Sequence, residues 1–363
     1  MPDLPLSGVR VLEIGGGVAA GFASHWLAGF GADVALTPRP AGALTDDETV
    51  YLDVWKRQVD DLDPGRLREL ALASDIIVED RKPGYLASRG LDPRALREAK
   101  PELVVVSITP FGQNGPYAGF ETTNITNFAM GGIMSLTGAS NRHPLPTGGN
   151  QAYQLGGLNG FSAAITTYYG ALVHGEGDWV DISLQECAAG MLELYGPRVE
   201  YEQVEAHMRS GNHVSATWGI YPVTDGYAGV CCLARQVRAL FSVVGDPELQ
   251  EERFMDPLQR LQNDDELQAR MYAWFVGHSK QEILELGPKH RIPFGAVLTP
   301  ADLLVSQHLR DRGYFDRITT ASGETAEAPG RPFHGFGWRG DGEVHRPGAD
   351  TAAVLNDWLG VRA

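Results

Sequence analysis

The period of the apolar positions changes several times along this chain, and each change marks an element. Residues 9–14 (VRVLEI) form a short apolar run that ends on Gly15, Gly16 and Gly17. Residues 18–30 (VAAGFASHWLAGF) are apolar on nearly every helical face, which predicts a helix buried on all sides. Residues 33–36 are a second candidate strand. Asp63-Pro64 and Asp92-Pro93 each set a capping acid before a proline suited to the first helical position. They predict helices from 64 to about 73 and over 93–99. Residues 76–78 and the β-branched run 104–108 predict further buried strands. Strand and helix alternate, which predicts an α/β fold with a parallel sheet covered on both faces. Small-residue apolar stretches at 124–138 and 157–174 predict packed helices, followed by a strand at 180–183 and a helix at 184–195.

The texture changes after about residue 196. Residues 197–217 are polar and read as a connector. Residues 218–300 read as a second unit, with strands near 218–233 and helices around 235–244, 265–276 and 280–286. Residues 314–346 are rich in Gly, Pro and Arg and read as loop, before a last helix at 350–359. A length of 363 residues accommodates two domains or one large elaborated one.

Composition narrows the classes. The chain has 30 Lys and Arg against 46 Asp and Glu, a net charge of −16. That balance argues against nucleic acid as main partner and against docking on an anionic membrane, though a local basic patch can still hold an anion. The start carries no basic, apolar leader, and no stretch reaches the ~20 apolar residues of a membrane span. Cys187, Cys231 and Cys232 show no metal-binding spacing and read as three buried, reduced thiols, so a cytoplasmic protein without metal is expected. The 44 glycines are the compositional outlier.

Candidate chemistry gathers where strands end. Gly15–Gly17 between strand and helix approximates a dinucleotide-binding turn. A nicotinamide enzyme also needs an acid at the end of the second strand, and that strand ends Leu36-Thr37-Pro38-Arg39, so NAD is not expected. Close helix–strand packing explains those glycines equally well. Arg39 stands at the same sheet edge, and its planar fork suits a phosphate ester, although most Arg are simply solvated. Residues 79–84 (EDRKPG) place two cations and a turn after the third strand, suited to a phosphorylated ligand or to an ordinary charged turn. Residues 111–117 (FGQNGPY) form a polar loop after the fourth strand. No Ser/His/Asp set and no Cys/His constellation is visible.

In order and wording these pieces resemble the class III CoA-transferases, the formyl-CoA and carnitine CoA-transferase type, a family that also contains alpha-methylacyl-CoA racemases. The resemblance rests on residues 5–13 (PLSGVRVLE), 27–34 (LAGFGADV), 75–84 (DIIVEDRKPG), 107–117 and 131–138 (GGIMSLTG). It continues through 180–186 (VDISLQE), 291–297 (RIPFGAV) and 309–315 (LRDRGYF). It implies a large Rossmann-like domain built from both chain ends, here 1–196 and 314–363. It implies a smaller α+β domain, here 218–313, reached through the connector 197–217. It also implies an intertwined, ring-like dimer. Coenzyme A or acyl-CoA would be the substrate, with a small carboxylic acid as its counterpart. By the same resemblance Arg39 would meet the CoA phosphates. Asp80, Arg81 and Lys82, with Tyr85 and Arg89, would hold nucleotide and pantetheine. Val18 and Ala19 would line the thioester end.

The departures from the family pattern bear on chemistry. In the transferases an Asp attacks the acyl-CoA, because a carboxylate serves as both nucleophile and leaving group. Counted back without a gap from the strand at 180, that position is Tyr153, and residues 149–158 (GNQAYQLGGL) hold no carboxylate. Val18 stands where formyl-CoA transferases carry a Gln. The racemase His falls on Thr123 and its Asp on 153–156, and the glycine-rich lid is missing. A Tyr with a pKa near ~10 is a poor nucleophile at neutral pH. Tyr153, Gln151 and Gln154 are therefore the candidate polar groups for orienting an acyl carbonyl or carboxylate. The resemblance leaves three readings of such an Asp-less member. It is the subunit of a heteromeric CoA-transferase whose Asp-bearing paralogue does the chemistry, a homodimeric enzyme with altered chemistry (transfer, hydrolysis or isomerisation), or a non-catalytic CoA-binding protein.

Overall fold

A computed structural model describes residues 4–193, 195–203, 209, 211–335 and 337–361. These fall into two compact units, one within Met1–Met134, Pro146–Val204 and His308–Ala363, the other within Ser135–Leu145 and Glu205–Gln307.

The first unit carries, in chain order, β1 (Arg10–Ile14), α1 (Val18–Gly29), β2 (Asp33–Leu36), α2 (Asp46–Asp53), β3 (Arg57–Gln58), α3 (Pro64–Ala73) and β4 (Ile76–Glu79). Then follow α4 (Tyr85–Ser88), α5 (Pro93–Ala99), β5 (Val104–Thr109), α6 (Asn124–Met130), α7 (Gln151–His174), β6 (Trp179–Ser183) and α8 (Leu184–Ala189). The six strands are all parallel, in the order β3-β2-β1-β4-β5-β6. The chain runs outward from β1 to β3, then returns to lay β4 on the other side of β1. This reversal opens a crevice beyond the carboxyl ends of β1 and β4, where open α/β sheets take ligands.

Successive strand residues point to opposite faces, and both faces are covered. Val11, Ile76, Val78, Val104 and Val106 pack with the alanines of α1 and with Ala164 and Ala171 of α7. Leu12, Ile77 and Val105 pack on the other side with Leu67, Leu70 and Leu96. Burial on both faces is why these strands read as unbroken apolar runs. Asp63 and Asp92 cap α3 and α5 as their sequence pattern predicts.

Several boundaries differ from the sequence reading, each for a physical reason. α7 begins at Gln151 rather than 157. Its start is held by Asn124, whose side chain accepts from Ala152 N–H at 2.8 Å and donates to Gly149 O at 2.9 Å. Such a tertiary cap leaves no local signal. The stretch 124–138 is helical only to Met130, with a short 3₁₀ turn at Ile133–Leu136. The helix read over 184–195 ends at Ala189, and another runs over Tyr195–Glu202. The missed α2 did carry a signature, since Thr45 and Glu48 form a capping box.

Residues 314–346 are corrected from loop to a small sheet. Phe315–Thr319 pairs antiparallel with Thr325–Pro329 and parallel with Gly342–Glu343. Only Ile318 of its first strand is buried, packed with Val54 and Val344, so the strand lacks the alternation that betrays a half-buried one. The chain then closes on α1. Arg339 Nε donates to Ala28 O at 2.8 Å, and the Trp338 ring packs where a Gly29 side chain would be.

The second unit is a four-stranded antiparallel sheet, ordered Phe294–Ala296, Gly226–Cys231, Trp218–Val223, His213–Ser215. Helices Val237–Val244, Asp264–Phe275 and Lys280–His290 supply much of a separate core around Tyr221, Phe241, Phe254 and Phe275. The three cysteines are free, and of them only Cys232 is buried, while Cys187 and Cys231 are half-buried.

Close approach of α1 and α7 depends on missing side chains. A Cβ on Gly157 would lie 2.6 Å from Ala19 O and 2.8 Å from the Phe22 Cβ. Gly157→Ala is expected to lever the helices apart and cost about 1–3 kcal/mol, as overpacked cores do. Urea unfolding checks this: a lower midpoint is expected, and an unchanged one refutes the tight seam.

Candidate functional site

The crevice beyond β1 and β4 holds a cleft of about 710 Å³. Val18, Ala19, Ile108 and Leu184 form its buried floor, while Lys82, Phe120 and Glu121 stand exposed at its mouth. The first turn of α7 brings in Tyr153, and the segment after β4 brings in Asp80, Arg81 and Lys82. Six sequence-predicted residues thus meet here: Val18, Ala19, Asp80, Arg81, Lys82 and Tyr153. Arg39, Tyr85, Arg89, Gln151 and Gln154 lie outside the lining. Sequence reasoning missed Ile108, Leu184 and the wall at 118–122. The two apolar residues look like ordinary core, and the wall lies just past a loop whose glycines and amide drew attention to 111–117 instead.

Asp80 occupies the glycine-rich turn. Its Oδ1 accepts from Gly17 N–H at 2.7 Å and its Oδ2 from Ala20 N–H at 3.0 Å, so it caps α1 from another segment. A Cβ on Gly16 would collide with this carboxylate, which explains that glycine. Burial pushes the Asp80 pKa up, against the two backbone donors and the Arg39 charge that favour the ionised form.

Arg39 lies behind this turn in a buried ion network. Its Nη2 meets Glu13 Oε1 and its Nη1 meets Asp53 Oδ2, both at 2.6 Å, and its side chain is 12% exposed. Lys56, fully buried, donates to Glu13 Oε2 at 2.7 Å and to Gly21 O at 3.0 Å. Ser24 adds a hydrogen bond to Glu13 at 2.6 Å. Burial opposes ionisation of Glu13, but Lys56 and Arg39 overcome it and hold its pKa near about 2.

The remaining candidates have local partners. Arg81 donates to Gly15 O at 3.1 Å and lies 4.4 Å over the Tyr85 ring. Lys82 is ion-paired with Glu121, both exposed. Arg89 meets Asp61 at 2.9 Å. The Tyr153 hydroxyl donates to Thr122 O at 3.3 Å, and burial and the Asp80 charge push its pKa above the usual 10.0. Among the described residues no cluster of His, Cys, Asp and Glu has the form of a metal site, and no helix is long and apolar enough to cross a membrane.

A sequence profile of CoA-transferase family III matches residues 60–351. The chain belongs to this family. It is 29% identical to a probable CoA-transferase, Rv1866, of Mycobacterium tuberculosis, over 84% of this chain and 41% of that longer protein. It is 27% identical to the succinyl-CoA–D-citramalate CoA-transferase of Chloroflexus aurantiacus, over 85% of this chain and 82% of the relative. It is 25% identical to BbsE of Thauera aromatica, a subunit of succinyl-CoA:(R)-benzylsuccinate CoA-transferase, over 95% and 92%. The crystal structure of a CAIB/BAIF family protein from Brucella suis superposes with a TM-score of 0.87 at 25% identity, over 98% of this chain and all of that one.

Two predictions come from the buried charges of this family member. Lys56→Met strands the Glu13 carboxylate with one cation fewer and is expected to cost about 3–5 kcal/mol in urea unfolding. A loss below about 1 kcal/mol would show the network to be solvated.

Glu79, at the end of β4, is the second case. Its pKa is raised from 4.5 to about 8 by burial, against hydrogen bonds from Ser107 and the Arg81 N–H. The folded chain therefore binds an extra proton between those values, and stability falls as pH rises from 4.5 through about 8. Glu79→Gln is expected to leave stability near wild type at about pH 5 and to raise it at about pH 9. Equal shifts at both would contradict the assignment.

Proposed function

We propose that this chain binds an acyl-CoA thioester in the cleft and serves as the Asp-less subunit of a heteromeric CoA-transferase, with a small carboxylic acid as acceptor. The observation that carries this reading is the state of residue 153. Acyl transfer through an anhydride needs a carboxylate that attacks and later leaves. Tyr153 offers instead a neutral phenol whose pKa is raised, a hydrogen-bond donor rather than a nucleophile. Among the described residues the lining has two carboxylates, and both are engaged: Asp80 by two backbone N–H groups, Glu121 by Lys82. The nucleophile is then supplied by a paralogue that carries the Asp. Two relatives are named as subunits, BbsE and the alpha subunit of succinyl-CoA–L-malate CoA-transferase of Chloroflexus aurantiacus, which supports assembly from unlike chains.

Within this reading the phosphate contact first expected of Arg39 passes to Lys82. Both outer nitrogens of the Arg39 fork are taken by carboxylates. Lys82 is exposed at the mouth, and a CoA phosphate can replace Glu121 as its partner with a charge-assisted bond. Lys82→Ala is expected to weaken CoA binding about tenfold, read by calorimetry. An unchanged affinity would move the phosphates elsewhere.

The deciding experiment assays the chain alone and together with an Asp-bearing paralogue from its own genome, using acyl-CoA donors and acid acceptors. CoA binding by the lone chain and turnover only in the mixture are expected. Turnover by the lone chain that Tyr153→Phe abolishes would establish a single-chain enzyme instead. Failure to bind CoA at millimolar concentration would overturn both.

A further inference from the structure

Charge along the cleft is unevenly placed. The floor residues Val18, Ala19, Ile108 and Leu184 are at most 9% exposed, and Asp80 and Tyr153 share the lining with them. Beneath the turn, Glu13 and Asp53 face Arg39 and Lys56, two acids against two bases in contact, and these charges cancel. Asp80 makes no ion pair among the described residues; each of its carboxylate oxygens accepts from a backbone N–H, Gly17 and Ala20, the arrangement of an ionised carboxylate. The cations on the lining are turned elsewhere: Arg81 to the Gly15 carbonyl and the Tyr85 ring, Lys82 to Glu121 at the exposed mouth. The floor of the cleft thus offers apolar walls, one phenol and a carboxylate without a cationic partner. It offers no cation to receive a second carboxylate on an acyl chain.

We infer that the cleft selects thioesters of monocarboxylic acids with uncharged, apolar tails, and that Asp80 enforces this choice by repelling an acyl group that carries a second carboxylate. The inference rests on the reading that the cleft takes an acyl-CoA with its acyl end on the floor. Two like charges held between apolar walls repel with little screening by water, and a site discriminates as effectively by such repulsion as by attraction.

The test is calorimetric titration of the full-length chain with CoA, butyryl-CoA, succinyl-CoA and the monomethyl ester of succinyl-CoA. The ester retains the succinyl skeleton and removes the charge while adding one methyl group. Butyryl-CoA and the ester are expected to bind within about threefold of each other, and succinyl-CoA at least about tenfold more weakly. Asp80→Asn is expected to narrow the gap between succinyl-CoA and its ester to about threefold or less, by strengthening succinyl-CoA. Succinyl-CoA binding to the unaltered protein as tightly as its ester would overturn the inference. So would an Asp80→Asn variant that weakens every ligand alike and keeps the gap, which would leave Asp80 as a helix cap only. If that variant does not fold, the acid–ester comparison on the unaltered protein still decides whether the floor rejects an anion. Absence of binding by CoA and all three thioesters would instead defeat the acyl-CoA reading, an outcome distinct from binding without discrimination.

Discussion

Two hydrogen bonds, from Gly17 and Ala20 to the Asp80 carboxylate, set the geometry on which the cleft depends. They join the end of β4 to the start of α1 across the point where the sheet order reverses. An N-terminus of a buried helix has donors with no partner inside the helix, and here α1 has no side-chain cap of its own. Asp80 supplies that cap from a distant segment, and its charge opposes the positive end of the helix dipole. The consequence for recognition is direct. A glycine turn before a helix is elsewhere a phosphate cradle, but in this chain the protein's own carboxylate fills it. The exposed cation nearest the cleft mouth is then Lys82, after β4.

The network beneath the cap explains why Arg39 behaves as framework. Burying Lys56 completely is unfavourable unless its charge is paired and its hydrogen bonds are met. Glu13 and the Gly21 carbonyl do both. Arg39 then balances Glu13 of β1 and Asp53 of α2, and Lys56, just before β3, reaches Glu13 and the Gly21 carbonyl of α1. Charge thus adds to the apolar packing of Leu52 and Val54 in fastening this segment to the sheet and to α1. Around this lies an aromatic shell in which His25 packs against Tyr51 and Trp55, with Trp338 from the returning segment. Burial and the Lys56 charge lower the His25 pKa to about 3, so its ring stays neutral beside the cluster.

Legibility in the sequence followed the range of the forces. The central strands, α1 and the Asp-Pro helix starts were readable because burial on both faces and local capping are written in consecutive residues. The sheet at 315–343 was not, since its strands bury almost nothing and are held by backbone pairing. The first turn of α7 was missed because Asn124 caps it from a distance, and that turn is the one that delivers Tyr153. For the site, the cluster at 80–82 was legible from its place after a strand. The commitment of Arg39 to Glu13 and Asp53 was not, because it depends on side chains distant in sequence converging beneath the sheet edge. The glycine excess, at first only compositional, resolves into particular contacts: Gly16 makes room for Asp80 and Gly157 for the backbone of α1.

These contacts also separate the family framework from its chemistry. The seam of α1 and α7 fixes where residue 153 projects, whatever that residue is. Its ring packs partly buried against the same core as α1 and β5, so the tyrosine contributes volume as well as a hydroxyl. As a phenol it places no second negative charge near Asp80, where two carboxylates sharing one enclosed cleft would be costly, and its ring gives the cleft an apolar wall. Asp80 and Tyr153 are in this sense one arrangement: a fixed acid that anchors the helix, and a neutral partner whose bulk and hydrogen bond are compatible with it.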